Sequence, residues 1–129
     1  MASKFFSIGA ILAGLAVAKG AFGAHGLEKM VSAESLHTWD KAVRYQMYHA
    51  LALFIISWAL IQYPEQAQTL INAAWAFIVG TILFSGSLYF LVLTGSLKLG
   101  SINLAYLTPL GGFAYVLGWF WLVMAARKF

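Results

Sequence analysis

Two histidines and one lysine carry the most chemistry in this sequence. His25 and His49 could hold a haem or a metal between them, since imidazole is the commonest metal ligand. His49 with Lys19 or Glu28 could pass a proton across an apolar layer. The spacing supports neither role. The two histidines fall in different segments without a diagnostic interval, and no acid is placed to support an imidazole. There is no Ser-His-Asp set, no pair of buried carboxylates, no Walker loop and no zinc motif. The stretch GAFGAHG (residues 20–26) is rich in glycine. It is not a nucleotide fingerprint, because no strand precedes it and no helix start follows in the right place. The chain is therefore read as non-enzymatic, with no cofactor and no metal site.

A wider polar set deserves a structural reading. Lys19, His25, Arg44, Tyr45, Gln46, Tyr48, His49, Asn103 and Thr108 interrupt or border apolar runs. The plain roles are known ones. Lys19 snorkels along its own stem to the headgroups. His25 caps the end of the first helix, with Gly23 and Gly26 allowing the turn. His49 hydrogen-bonds between helices, because a histidine at that depth is costly against lipid.

The elements that must position these residues follow from composition. Of 129 residues, 62% are hydrophobic and only 9% charged, with a mean hydropathy of +0.82. A small soluble domain cannot bury that excess, so the surplus faces lipid or protein. Four apolar segments each approach the ~20 residues of a bilayer span: residues 5–23, 42–62, 70–94 and 102–126. Lys4, the run FFSIGAILAGLAV and Ala16-Val17-Ala18 imitate a secretory signal; the segment is read as a retained span. Runs this long without period-two alternation are helices, which satisfy their own backbone in lipid. The fold class expected is an all-α membrane protein. It is a single domain over 1–129, a four-helix transmembrane bundle with a short amphipathic or protruding helix between spans one and two. The joints PEQAQT and GSLKLGS look too short to hide another element.

No Gly or Pro falls between Leu27 and Tyr63. Ser32 reads as an N-cap, with Glu34 in the first turn. One helix from Ala33 to Tyr63 is expected, stopped by Pro64, with Asp40 and Arg44 paired at i, i+4. The alternative is a surface helix that bends near Lys41. Four spans leave both termini on one side of the membrane. Lys4, Arg127 and Lys128 lie on that side, against Lys19, Lys29, Lys41, Arg44 and Lys98 on the other. The positive-inside rule then places the termini outside the cytoplasm. In this arrangement the polar set gathers in one leaflet, beside the long connection.

Small residues mark the packing faces, because they let helix backbones approach closely in lipid. In span one, Ala10, Gly14 and Ala18 form one row, and Ala16, Gly20 and Ala24 another. Gly23, Gly80, Gly86, Gly111, Gly112 and Gly118 are read the same way. Pro109 is expected to kink the fourth helix, with Thr108 serving a freed carbonyl.

Four blocks also carry a resemblance: GAFGAHGL (20–27), RYQMYHALAL (44–53), FSGSLYFLVLTG (84–95) and LTPLGG (107–112). In these, in order, the chain resembles the YgdD/YwdK-type family of small bacterial inner-membrane proteins of unknown function, which has an animal transmembrane relative. The resemblance implies four transmembrane helices in a bacterial inner membrane, and no activity. The reading that follows is a packing, assembly or interaction subunit in contact with the lipid bilayer, with itself or with a larger membrane complex, and not with nucleic acid. The alternative is a small oligomeric transporter or channel with a polar vestibule in one leaflet. A haem or metal binder using His49 and His25 is a third.

Overall fold

The computed structural model describes residues 1–129. It consists of four helical rods: α1 (Ala2–His25), α2 (Ala33–Gln62), α3 (Ala67–Gly80) continuing into α4 (Gly86–Thr94), and α5 (Leu107–Ala126). Three stretches are long and apolar enough to cross a membrane: Ala2–Lys29, Pro64–Thr94 and Leu104–Ala126. At 30 residues α2 is the longest helix, about 45 Å by helix rise. It is not among those three, because Gln46, His49 and Gln62 dilute its apolar half.

Ser32 caps α2 as its residue type predicts: its Oγ accepts from the Ser35 amide at 3.1 Å. The helix then runs unbroken past Lys41, so no separate amphipathic helix precedes it. Only a single turn, Leu27–Lys29, stands between α1 and α2. The GSLKLGS joint does hold another element. Lys98–Leu99 and Ile102–Asn103 pair as a small antiparallel hairpin, with Lys98 opposite Asn103. Gly95 and Gly100 permit it, at φ of +76° and +62°, where a side chain is strained. Helix α5 consequently starts at Leu107 rather than 102.

The inward faces follow a heptad rather than a four-residue row. On α1 the inner residues are Phe5, Gly9, Leu12, Ala16, Lys19 and Gly23; on α5 they are Gly111, Tyr115, Gly118, Leu122 and Ala125. Alternating steps of four and three keep one seam facing a partner helix through a left-handed supercoil. Residues at strict four-residue spacing drift off that seam, and Ala10, Gly14 and Ala18 all face outward.

The third rod departs from this pattern for a local reason. Thr81–Ser85 form one π-helical turn. Its extra residue shifts the seam by one place, so that Leu70, Ala73, Phe77 and Gly80 are followed by Ser85, Leu88 and Val92. Such bulges re-aim side chains without breaking a helix. Pro109 does not fall in the interior of the helix, where a kink is expected of it. It is the third residue of α5, where its missing N–H has no intrahelical partner to lose.

The glycines sort by what a β-carbon would meet. At Gly111 it would strike the Phe84 backbone nitrogen and come within 2.8 Å of Phe84 Cα. At Gly23 it would lie 2.9 Å from Trp39, and at Gly20 only 3.6 Å from Val43, an ordinary contact. Gly112 is similarly relaxed, 3.9 Å from Phe84. Gly14 and Gly86 meet nothing within 4 Å, so they pack against no other helix of this chain. Gly80 and Gly118 pack closely, as their place among the small residues suggests, and so does Gly9, which the four-residue rows leave out. Gly14→Ala and Gly86→Ala are therefore expected to leave thermal stability in detergent unchanged, or to raise it by up to roughly 1 kcal/mol through helix propensity.

Both termini lie at one end of the bundle. Tyr63, after α2, stacks on Phe129 with ring centroids 3.9 Å apart. Phe5 meets Trp75 edge-on at 5.7 Å. The larger core cluster (Phe5, Leu53, Ile56, Leu70, Phe77, Tyr115) fills this end. A smaller cluster around Leu27, Trp39, Leu88 and Val92 fills the other.

Candidate functional site

The site forms where α2 passes between its neighbours. Gln46 is 1% exposed and faces three partners. Its Nε2 donates to the Leu12 carbonyl of α1 at 2.7 Å. Its Oε1 accepts from the Tyr89 hydroxyl of α4 at 2.7 Å and from Lys19 Nζ of α1 at 3.3 Å. The Lys19 ammonium also lies 4.1 Å from the centroid of the Tyr89 ring, a favourable cation–π placement. It turns into the bundle rather than snorkelling outward. Trp39, one heptad earlier on α2, donates its indole N–H to the Lys19 carbonyl at 2.9 Å. Its ring packs on Tyr89 at 4.7 Å. One amide thus ties α1, α2 and α4 together.

His49 lies one step further along the α2 seam and serves α5. Its Nδ1 is 2.6 Å from the Tyr45 carbonyl. A carbonyl only accepts, so Nδ1 carries the proton. Nε2 then accepts from the Trp119 indole N–H at 3.1 Å. The imidazole lies flat on Tyr115, with centroids 3.5 Å apart and planes 7° apart. Tyr115 in turn donates to Thr81 Oγ1 in the π turn at 3.1 Å. Both ring nitrogens are in use, so axial ligation by His49 would require breaking the Trp119 bond. Nitrogen-15 NMR of labelled histidine is expected to show His49 as the neutral Nδ1–H tautomer. Trp119→Phe is expected to shift its Nε2 resonance and to cost about 0.6–2 kcal/mol of stability. A protonated Nε2 in the native protein would refute the assignment.

Two further bonds join the rods near this level. Ser85 Oγ donates to the Ala42 carbonyl at 2.7 Å, and the Ser87 and Thr108 hydroxyls meet at 2.6 Å. Every buried side-chain nitrogen and oxygen has a partner. Thr108 thus pairs with the third rod rather than with a carbonyl of its own helix.

The structure separates the expected polar set. Lys19, Gln46, His49 and Thr108 come into the bundle. His25 is exposed at the last residue of α1, and His49 is buried within α2. The cap at Gly26 is right-handed, with φ −112°, not the left-handed turn that a glycine corner suggests. Arg44 is exposed and pairs with Asp40 at 3.7 Å, as their spacing predicts. Asn103 caps the turn before α5, its Oδ1 accepting from the Ala105 amide at 3.0 Å. Tyr45 and Tyr48 are 40% and 53% exposed and border a groove of about 380 Å³ between α2 and α5. Trp39, Tyr89, Tyr115 and Trp119 were missed. Aromatic residues in such a chain look like an interfacial belt or simple apolar mass. The available signal was that Trp39, Gln46 and His49 share one heptad seam.

Comparison with known proteins gives a consistent picture. Residues 19–112 match a family model described as "Protein of unknown function (DUF423)". A UPF0382 membrane protein of Staphylococcus aureus (strain bovine RF122 / ET3-1) is 46% identical over 128 residues, covering 97% of this chain and 96% of its own. The UPF0382 membrane protein YwdK of Bacillus subtilis (strain 168) is 44% identical over 125 residues, covering 97% of both chains. No solved structure matches.

Proposed function

Since the chain belongs to the DUF423 family of unknown function, with relatives named as membrane proteins, we propose that it is a four-span subunit of the bacterial inner membrane. Its role is packing and assembly, not catalysis. In this reading α2 crosses the bilayer beside the three apolar rods, its polar side chains shielded by α1, α4 and α5. The termini face outward and the Leu27–Lys41 region faces the cytoplasm, where the basic residues are more numerous.

One observation carries the reading: the polar groups inside the bundle are paired with one another. Gln46 uses both ends of its amide, and His49 both ring nitrogens. Groups so engaged act as staples that fix one helix arrangement, and a catalyst would need at least one of them free for substrate. Purification from native membranes, followed by mass measurement in nanodiscs, is expected to give a particle heavier than the 14.1 kDa of one chain, as a homo-oligomer or with a bound partner. A lone monomer with no partner at native expression levels would defeat the proposal.

The transporter alternative draws on Lys19, the one half-buried cation between helices. It requires several copies to surround a pore. Under that reading, reconstituted vesicles would show a solute or proton flux that Lys19→Met abolishes.

A further inference from the structure

We propose that the groove between α2 and α5, with the basic residues above it, is a site for one anionic phospholipid. The inference rests on α2 lying in the bilayer, as proposed above.

Helices α2 and α5 run parallel. His49 bonds Trp119 midway, and Tyr63 stacks on Phe129 at their far ends. Their N-terminal ends therefore share one side. Down the outer face of α2 come first Lys41 and Arg44, then Tyr45 and Tyr48, which themselves line the groove. Lys41 and Tyr45, like Arg44 and Tyr48, stand one turn apart on one stripe. By helix rise, Arg44 lies about 6 Å and Lys41 about 10 Å above Tyr48. The groove's other walls are Phe84, Tyr115, Val116 and Trp119, and Gly112 leaves it bare at the end nearer the N-terminus of α5. Its volume is about 380 Å³.

A phospholipid presents matching chemistry in the same order: phosphate, ester carbonyls, acyl chain. The cations attract the phosphate. The positive end of the α5 dipole, at the same level, adds to that attraction. The two exposed phenols, which take no part in the bundle's own bonds, can donate to the ester carbonyls. The bare glycine admits the lipid near its headgroup, and the aromatic walls receive the chain. Asp40 shares Arg44, but both are largely exposed (63% and 50%), so that pair is weak and a phosphate competes for the guanidinium. The net charge of the stripe favours an anionic lipid over a zwitterionic one.

The test is native mass spectrometry of protein released from nanodiscs of equal phosphatidylglycerol and phosphatidylcholine. Wild-type protein is expected to retain phosphatidylglycerol selectively. Lys41→Gln and Arg44→Gln, both at exposed positions, should each lower its retention about fivefold, leaving phosphatidylcholine unchanged. Gly112→Leu, which fills the groove, should lower both. Equal retention of the two lipids by wild type, or indifference to the two charge substitutions, overturns the site. The chain has no cysteine, so Ile55→Cys, on the outer face of α2, tests the premise separately. Protection from a membrane-impermeant maleimide in sealed vesicles, combined with no selective lipid, sinks the lipid site alone. Full labelling sinks the embedded α2, and the site with it.

Discussion

Gly111→Ala is expected to detach α5 from the third rod, with a loss of about 3 kcal/mol or more. The β-carbon would meet the Phe84 backbone nitrogen and lie 2.8 Å from Phe84 Cα. A side chain can rotate out of such a contact; backbone in the π turn cannot without moving the helix. Two neighbouring glycines give graded comparisons. At Gly118 the β-carbon would lie 2.5 Å from the Phe77 ring and 3.2 Å from the Ala73 carbonyl. At Gly80 it would lie 2.5 Å from the Tyr115 ring. Rings yield somewhat, so these alanines are expected to destabilise less than Gly111→Ala. Unfolding in mixed micelles measures the series. The order Gly111, then Gly118 and Gly80, then a neutral Gly14, is the expected result. A uniform response would mean that the close approach of α5 to Phe84 does not hold the bundle together.

The second large effect belongs to Gln46→Leu. It removes the bonds to Leu12, Tyr89 and Lys19 at once. Each such bond contributes about 0.6–2 kcal/mol in a membrane protein, so a loss of roughly 2–4 kcal/mol is expected. Part of that loss reflects the Lys19 ammonium left with only the Tyr89 ring. The double substitution Lys19→Leu with Gln46→Leu should therefore be less damaging than the two single losses added together. A double-mutant cycle reads this coupling directly. Strict additivity would mean that Lys19 reaches water or headgroups in the membrane and does not depend on Gln46. Tyr89→Phe should cost only one bond and fall at the low end of the same scale.

These predictions turn on residues of unequal visibility. Gln46 and His49 are conspicuous as polar side chains beside an apolar run, and Lys19 as a charge before the end of one. Their partners are not. Nothing in the chain marks Tyr89 or Trp119 as hydrogen-bond donors rather than apolar mass, because an aromatic side chain serves both purposes and only its neighbour decides. The glycines show the same limit. Gly14 and Gly111 are equivalent as letters, yet one meets empty space and the other a backbone nitrogen.

Composition required apolar surface turned to lipid or protein, since 62% apolar residues in 129 cannot be enclosed by so small a soluble core, and the long runs without alternation required helices. The cap at Ser32, the uninterrupted helix to Gln62, the Asp40–Arg44 pair and the break at Pro64 were equally legible, because each depends on neighbours within about one helical turn. The tertiary structure decided the rest. The π turn at Thr81–Ser85 rotates α4 by one residue, bringing Tyr89 to Gln46 and Ser85 to Ala42. The parallel course of α2 and α5 sets Trp119 against His49. Both depend on residues 43 to 70 positions apart, and helical periodicity shows which face a side chain occupies but not which helix stands opposite.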